Sequence, residues 1–137
     1  MIKDILVHIP TERSARPVID ASISLGSAFR AHIDAFAIGY VSVSSAYVID
    51  GSAAAAVASV FEAEQARAAE RASAALDHFE AEARKANVAY HCHPSADMPS
   101  GAAASICAAA RLCDLAVVLQ PESNEETFDN RIPQEIL

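Results

Sequence analysis

From Ser52 to Asn87 the chain contains neither glycine nor proline. Nothing in that stretch interrupts a helix, and its side chains sort by helical period. Val57, Val60, Phe61, Ala68, Ala72, Ala75, Leu76, Phe79 and Ala83 fall on one face. Glu62, Arg67, Glu70, Arg71, Glu80 and Arg84 fall mostly on the other. Apolar positions recurring every three to four residues define a long amphipathic helix. Glu80 and Arg84 stand four apart in the favourable order, acid before base. Asn87 suits the position just past a helix end. A face this rich in alanine packs closely only against something flat.

The apolar runs on either side supply the flat partner. Asp4–Pro10, "DILVHIP", reads as a short buried strand followed by breakers and a loop. The next segment, "RPVIDASISLGSAFRAH", carries Val18, Ala21, Leu25, Ala28 and Phe29 at helical spacing. Pro17 suits its first turn, where a missing N–H costs nothing, and Gly26 either weakens it or lets it sit close to a neighbour. His32–Tyr40 is a second strand ended by Gly39 and serines. Val88–Pro94 alternates and is short, as at a sheet edge. A helix capped by Ser100 follows, with Ala103, Ile106, Cys107 and Ala110 as its stripe. Leu115–Gln120, "LAVVLQ", is a near-continuous apolar run, as in a strand covered on both faces. The order is β-α-β-α-β-α-β, with connections long enough for right-handed crossovers. It implies an α/β fold: a three-layer, doubly wound parallel sheet in one domain over residues 1–137.

Charge narrows the partners. A net charge of −8 and a pI near 4.9 give a surface that repels phosphate backbones and anionic bilayers, so neither nucleic acid nor a membrane is expected as partner. The start, "MIKDILVHIPTERSARP", lacks the long apolar stretch of a signal peptide. Cys92, Cys107 and Cys113 have no C-x-x-C pairing, so free thiols in a reducing cytoplasm are expected.

Residues 2–40, "IKDILVHIPTERSARPVIDASISLGSAFRAHIDAFAIGY", resemble the opening of a universal stress protein. The segment "ADMPSGAAASICAAARLCDLAVVLQ" is similar to the later part of that family, where a helix leads into an "A…CDL-V-V" strand. The resemblance covers about residues 2 to 120 and rests on pattern and order. It implies a parallel sheet in strand order 3-2-1-4-5, frequent dimerisation and, in some members, ATP binding. The chain departs from the ATP-binding pattern in two places. Pro10 stands where those members end the first strand with a nucleotide-contacting Asp. After the fourth strand they carry G-x-x-G and then G-[ST], whose N–H groups hold phosphates; here "QPESNEETFDNRIPQEIL" has no glycine. The ending "PQEIL" falls where the last helix would be starting. The resemblance thus implies order 3-2-1-4 with the fifth strand missing from this chain, as in a C-terminally truncated domain or the first half of a tandem protein.

In an open parallel sheet, ligands sit beyond the carboxyl ends of the strands where the order reverses. In the strand order that the resemblance implies, that crevice lies between strands one and four, and its rim comprises Pro10, Thr11, Glu12, Arg13, Gln120, Pro121 and Ser123, with Gly39 and Tyr40 nearby. Arg13, Arg16 and Arg131 are its cations, and Glu122, Glu125, Glu126 and Asp129 oppose them. One like charge at about 4 Å near a surface costs on the order of 4 kcal/mol, so ATP is disfavoured and no cofactor is expected. The resulting reading is a stress-response or regulatory binding module with a degenerate nucleotide site. It would act by self-association or with a second such domain. An ATP-binding protein with slow or no hydrolysis, using Thr11, Arg13 and Gln120, is one alternative. A metal-dependent enzyme using His91 and His93 is another: both side chains share one face of a strand, half of a zinc site without an evident third ligand. His8 reads as a neutral, buried histidine. Ser14 and Ser100 read as helix caps, Cys107 as core, and Cys113 as a thiol with nothing nearby to lower its pKa. No G-x-S-x-G elbow is present, and no catalytic constellation is expected. The segment "YVIDGSAAAAVASVF" reads either as a helix start on the sheet or as a partner surface.

Overall fold

A computed structural model of the chain describes residues 1–42, 54–123 and 127–136. β1 (Asp4–Ile9), α1 (Arg16–Phe29), β2 (His32–Tyr40), α2 (Ala54–Lys85), β3 (Tyr90–Asp97), α3 (Pro99–Ala110) and β4 (Leu115–Val117) follow one another, and α4 (Arg131–Ile136) comes after a single 3-10 turn at Phe128–Asn130. The strands are all parallel, in the order β3-β2-β1-β4. The expected order is therefore the observed one among the described residues.

Side-chain alternation along the strands divides the core into two layers. Ile5, Val7 and Ile9 of β1 and Ile33, Ala35 and Ala37 of β2 pack on α1 and α2, with Ala72, Leu76, Phe79 and Ala83 from the long helix. Leu6, Ile38 and Tyr40 face the other way, onto α3 and α4 through Ala102, Ala103, Ile106 and Ile132. β1 is buried because it lies inside the sheet with helices on both sides. The small side chains of Ala68 and Ala72, both fully buried, let α2 lie close on β2. At Gly39 the approach is closest: a Cβ there would collide with the backbone carbonyl of Ala68.

Several expectations are corrected. The α1 contact face is Val18, Ile19, Ser22 and Gly26, whereas Ala21, Ala28 and Phe29 are exposed. Gly26 sets that phase, since an added Cβ would lie 2.7 Å from the Ile33 side chain and 3.0 Å from Val88. The buried Ser22 hydroxyl donates back to the Ile19 carbonyl at 3.0 Å. Ser14 and Ser100 are not caps: the residues preceding α1 and α3 are Ala15 and Met98, and neither makes a side-chain capping bond. A proline at the start of each helix does that work instead, by removing an N–H that would need a partner. The apolar stripe of α2 is buried only from Ala68 onward, and Val60 and Phe61 remain 40% and 37% exposed.

The strand ends differ too. β3 runs to Asp97, through Pro94, because it is an edge strand and its outer side needs no N–H donor. β4 is a three-residue strand at the opposite edge, half-buried rather than covered on both faces. Asn87 is left-handed (φ 54°), and the Val88 N–H returns to the Ala83 carbonyl at 3.1 Å, closing α2 as its sequence suggested. Arg84 pairs with Glu80 as expected, and the Tyr90 hydroxyl also donates to Glu80 at 2.8 Å. Of the segment 45–57, which drifts from linker into helix in sequence, residues 54–57 belong to α2, and 45–53, with Glu125 and Glu126, lie outside the described residues.

Candidate functional site

The carboxyl end of β1 passes into a loop whose main-chain N–H groups have one dominant acceptor. Thr11 N–H and Glu12 N–H both donate to Asp129 Oδ2, at 3.1 and 2.9 Å. The Tyr40 hydroxyl, at the end of β2, donates to Asp129 Oδ1 at 2.9 Å. Asp129 is buried, at 4% exposure. Burial pushes its carboxyl up, and the three donors work against that shift. Burial also raises the Tyr40 phenol, aided by the Asp129 charge, so the phenol stays a donor. Glu12 returns the contact by accepting the Phe128 N–H at 2.8 Å. The segment 127–130 is thus latched over the tip of β1 from both sides.

Arg13 is engaged in the same closure. It donates to the Gln120 carbonyl and to Asn130 Oδ1, each at 2.9 Å, and pairs with Glu122 at 2.9 Å. Its side chain is 7% exposed. Thr11 Oγ1 donates to the Ile38 carbonyl at 3.0 Å, and Arg71 of α2 donates to the Tyr40 carbonyl at 3.0 Å. A cavity of about 650 Å³ beside α2 includes Pro10, Thr11, Arg13, Arg16, Arg71 and His78 in its wall. A shallower cleft of about 780 Å³ on the other side of Arg13 takes in Gln120, Pro121, Glu122 and Ser123. Gly39 and Tyr40 line neither: Gly39 packs under α2, and Tyr40 anchors Asp129. Arg16 pairs loosely with Asp20 at 3.8 Å, and Arg131 lies over the Phe128 ring.

His8 lies beside this latch, 1% exposed. Its Nε2 is 3.7 Å from Asp129 Oδ1, too far for a hydrogen bond, and has no partner among the described residues. Burial lowers its pKa to about 4, so the ring is neutral at pH 7, as its sequence setting implied.

A second group of titratable side chains lies at the β2–β3 edge. The register sets Asp34 opposite His91 and Phe36 opposite His93. His32 Nε2 and His91 Nδ1 face each other at 2.8 Å. His93 Nε2 donates to Asp34 Oδ1 at 2.8 Å, and His32 Nδ1 lies 3.5 Å from Asp34 Oδ2. The chain segments that sequence spacing could not connect, residues 32–34 and 91–93, are neighbours through strand pairing. Cys113 and Cys92 have thiols pushed up, in each case chiefly by burial, with Asp34 next for Cys113 and Glu80 next for Cys92. Cys107 is half-buried and donates to the Glu135 carbonyl at 3.3 Å, a packing role. No helix among the described residues is long and apolar enough to cross a membrane.

Asp129 is the residue that sequence reasoning missed. It was one acid among several opposing phosphate, and only its neighbours Phe128 and Ile132, with a buried Ile132, set it apart from Glu122.

No family model matches the sequence, and no curated protein matches it. Solved structures do. The chain is similar to the universal stress protein UspA from Lactobacillus plantarum, with a TM-score of 0.60 at 13% identity, over 98% of this chain and 90% of that one. It is also similar to a protein from the universal stress protein family from Burkholderia pseudomallei, with a TM-score of 0.55 at 19% identity, over 97% of this chain and 89% of that one. The parallel order 3-2-1-4, the helices on both faces and these two likenesses together show that the chain has the universal stress protein fold.

Proposed function

We propose that the chain is a stress-response or regulatory binding module of the universal stress protein type whose nucleotide site is filled by its own side chain. The observation that carries this reading is Asp129. Two adjacent main-chain N–H groups at the switch point of a parallel sheet form an anion site, and here both point at one carboxylate oxygen. A phosphate entering there meets a fixed negative charge and must displace three hydrogen bonds. Arg13, a cation of the same loop, is already engaged by Glu122, the Gln120 carbonyl and Asn130. Such a module works through contacts rather than catalysis. The half-buried edge strand β4 and the exposed Val60 and Phe61 support self-association or pairing with a second domain of the same kind.

Isothermal titration with Mg-ATP tests the filled site. No saturable heat is expected at millimolar nucleotide, and no adenine absorbance in the purified protein. Tight binding that is lost in Arg13→Ala overturns the reading in favour of an ATP-binding protein. The cavity of about 650 Å³ with Arg16 and Arg71 in its wall is the observation that favours that alternative. Light scattering tests association: a complex is expected at high concentration, and a clean monomer contradicts it.

A further inference from the structure

The β2–β3 edge carries side chains that a contact-based module does not use. We propose that His32, Asp34 and His91 bind a divalent transition-metal ion of the zinc, nickel and copper class, with His93 holding Asp34 in position. Parallel pairing assembles the set. Asp34 is opposite His91, and His32 lies two residues before Asp34 on the same face of β2. One ligand atom from each of the three lies within 4.8 Å of the other two.

The distances suit an ion with modest adjustment. His32 Nε2 and His91 Nδ1 are 2.8 Å apart. Two nitrogens each about 2.1 Å from one ion subtend roughly 84° at that spacing and about 109° once they part to about 3.4 Å. Rotation of the two rings supplies that change, because His91 is exposed and His32 half-buried. Asp34 divides its oxygens: Oδ1 takes the His93 N–H, and Oδ2 lies 3.5 Å from His32 Nδ1, the ring nitrogen turned away from His91, so the same ring rotation must bring Oδ2 and Nε2 to one ion. Ligation through Oδ2 leaves His93 in place as an outer partner, the arrangement that orients metal-binding carboxylates. The His93 ring is itself fixed by stacking on Phe36, with centroids 4.4 Å apart and planes inclined by 14°.

The donor set selects the ion. Two imidazoles and one carboxylate suit zinc, nickel or copper, whereas magnesium and calcium require mostly oxygen ligands. The solvent-facing side leaves a coordination position for water. The net charge of −8 draws cations to the surface at long range.

Titration of the untagged, metal-stripped chain with zinc chloride tests the site, followed by calorimetry and by the visible spectrum of a cobalt-substituted sample. One ion per chain at micromolar affinity or tighter is expected. Loss of an outer-shell partner typically weakens a site about 10–100-fold. His93→Ala is therefore expected near the lower figure, and His32→Ala and His91→Ala at about 100-fold or more. The far-ultraviolet circular dichroism of each variant should match the parent, which separates lost ligation from lost folding. His78→Ala, on α2, should bind as the parent does. No saturable binding in the micromolar range overturns the proposal, as does parental affinity in both His32→Ala and His91→Ala.

Discussion

The tip of β1 and the β2–β3 edge hold the same chemistry, a carboxylate beside a histidine, in opposite settings. At the tip, Asp129 and His8 are 4% and 1% exposed. At the edge, Asp34 is half-buried and its histidine neighbours reach the surface. Burial forces each polar group either to find a protein partner or to become neutral. Asp129 takes the first course, with three donors, and His8 takes the second. At the edge, water is an alternative partner, so the contacts are exchangeable and a ligand can replace them. The difference teaches that the tip spends its bonding capacity on the fold, while the edge keeps its own available.

The sharpest way to break this contrast is Asp129→Ala. It strands the N–H groups of Thr11 and Glu12 and the Tyr40 hydroxyl, and each buried orphan costs about 1–3 kcal/mol. A loss of about 4 kcal/mol is expected in urea unfolding. A loss below about 1 kcal/mol would mean that water satisfies the tip as it does the edge.

Acid is the next lever. An unfolded histidine takes up a proton near pH 6.5, whereas folded His8 does so only near 4. Between those values the unfolded chain binds more protons, so stability is complete above about pH 6.5 and falls as pH drops towards 4, by about 3 kcal/mol at full depth. Asp129 opposes this, because burial pushes its carboxyl up and the folded state gains a proton first. His8→Leu is expected to flatten the decline, read as urea midpoints at pH 5 and pH 7.5. An unchanged decline in that variant would place the acid sensitivity elsewhere.

Arg13→Ala removes a partly shielded guanidinium from acceptors that include Glu122, the Gln120 carbonyl and Asn130, but Glu122 and the Gln120 carbonyl can turn to water. A loss of about 1–2 kcal/mol is expected from thermal or urea unfolding. At the other extreme, His32→Ala and His91→Ala should change stability by no more than about 0.5 kcal/mol, because His91 is exposed and the half-buried His32 has water as an alternative partner. If either costs as much as Asp129→Ala, the edge is structural in the way the tip is, and the contrast fails.

Much of the architecture was legible in the sequence, though not its phase. The glycine-free run from Ser52 announced α2, and β2 has the limits its apolar residues and Gly39 suggested. The α1 stripe was misread because Gly26 and Ser22 carry no hydrophobic signal, yet small size is what lets the helix close on Ile33 and Val88. β4 was overestimated because an apolar run does not reveal whether a second neighbour covers it. For the site, the sequence placed Thr11, Arg13, Tyr40 and Gln120 near one tip but ascribed to Asp129 a repulsive role. A like charge along a chain becomes a ligand for N–H groups only when folding brings it against them.

Taken alone, the sequence determined the order of elements, the parallel sheet and the absence of a glycine phosphate loop. These follow from local properties: periodicity, breakers and the side chains each residue brings. Tertiary structure alone decided which acid closes the β1 tip and which residues join His91. Asp129 lies more than a hundred positions from Thr11 in sequence, and His32 lies 59 from His91. Contacts at such separation are set by strand register and helix docking, which depend on the packing of the whole core.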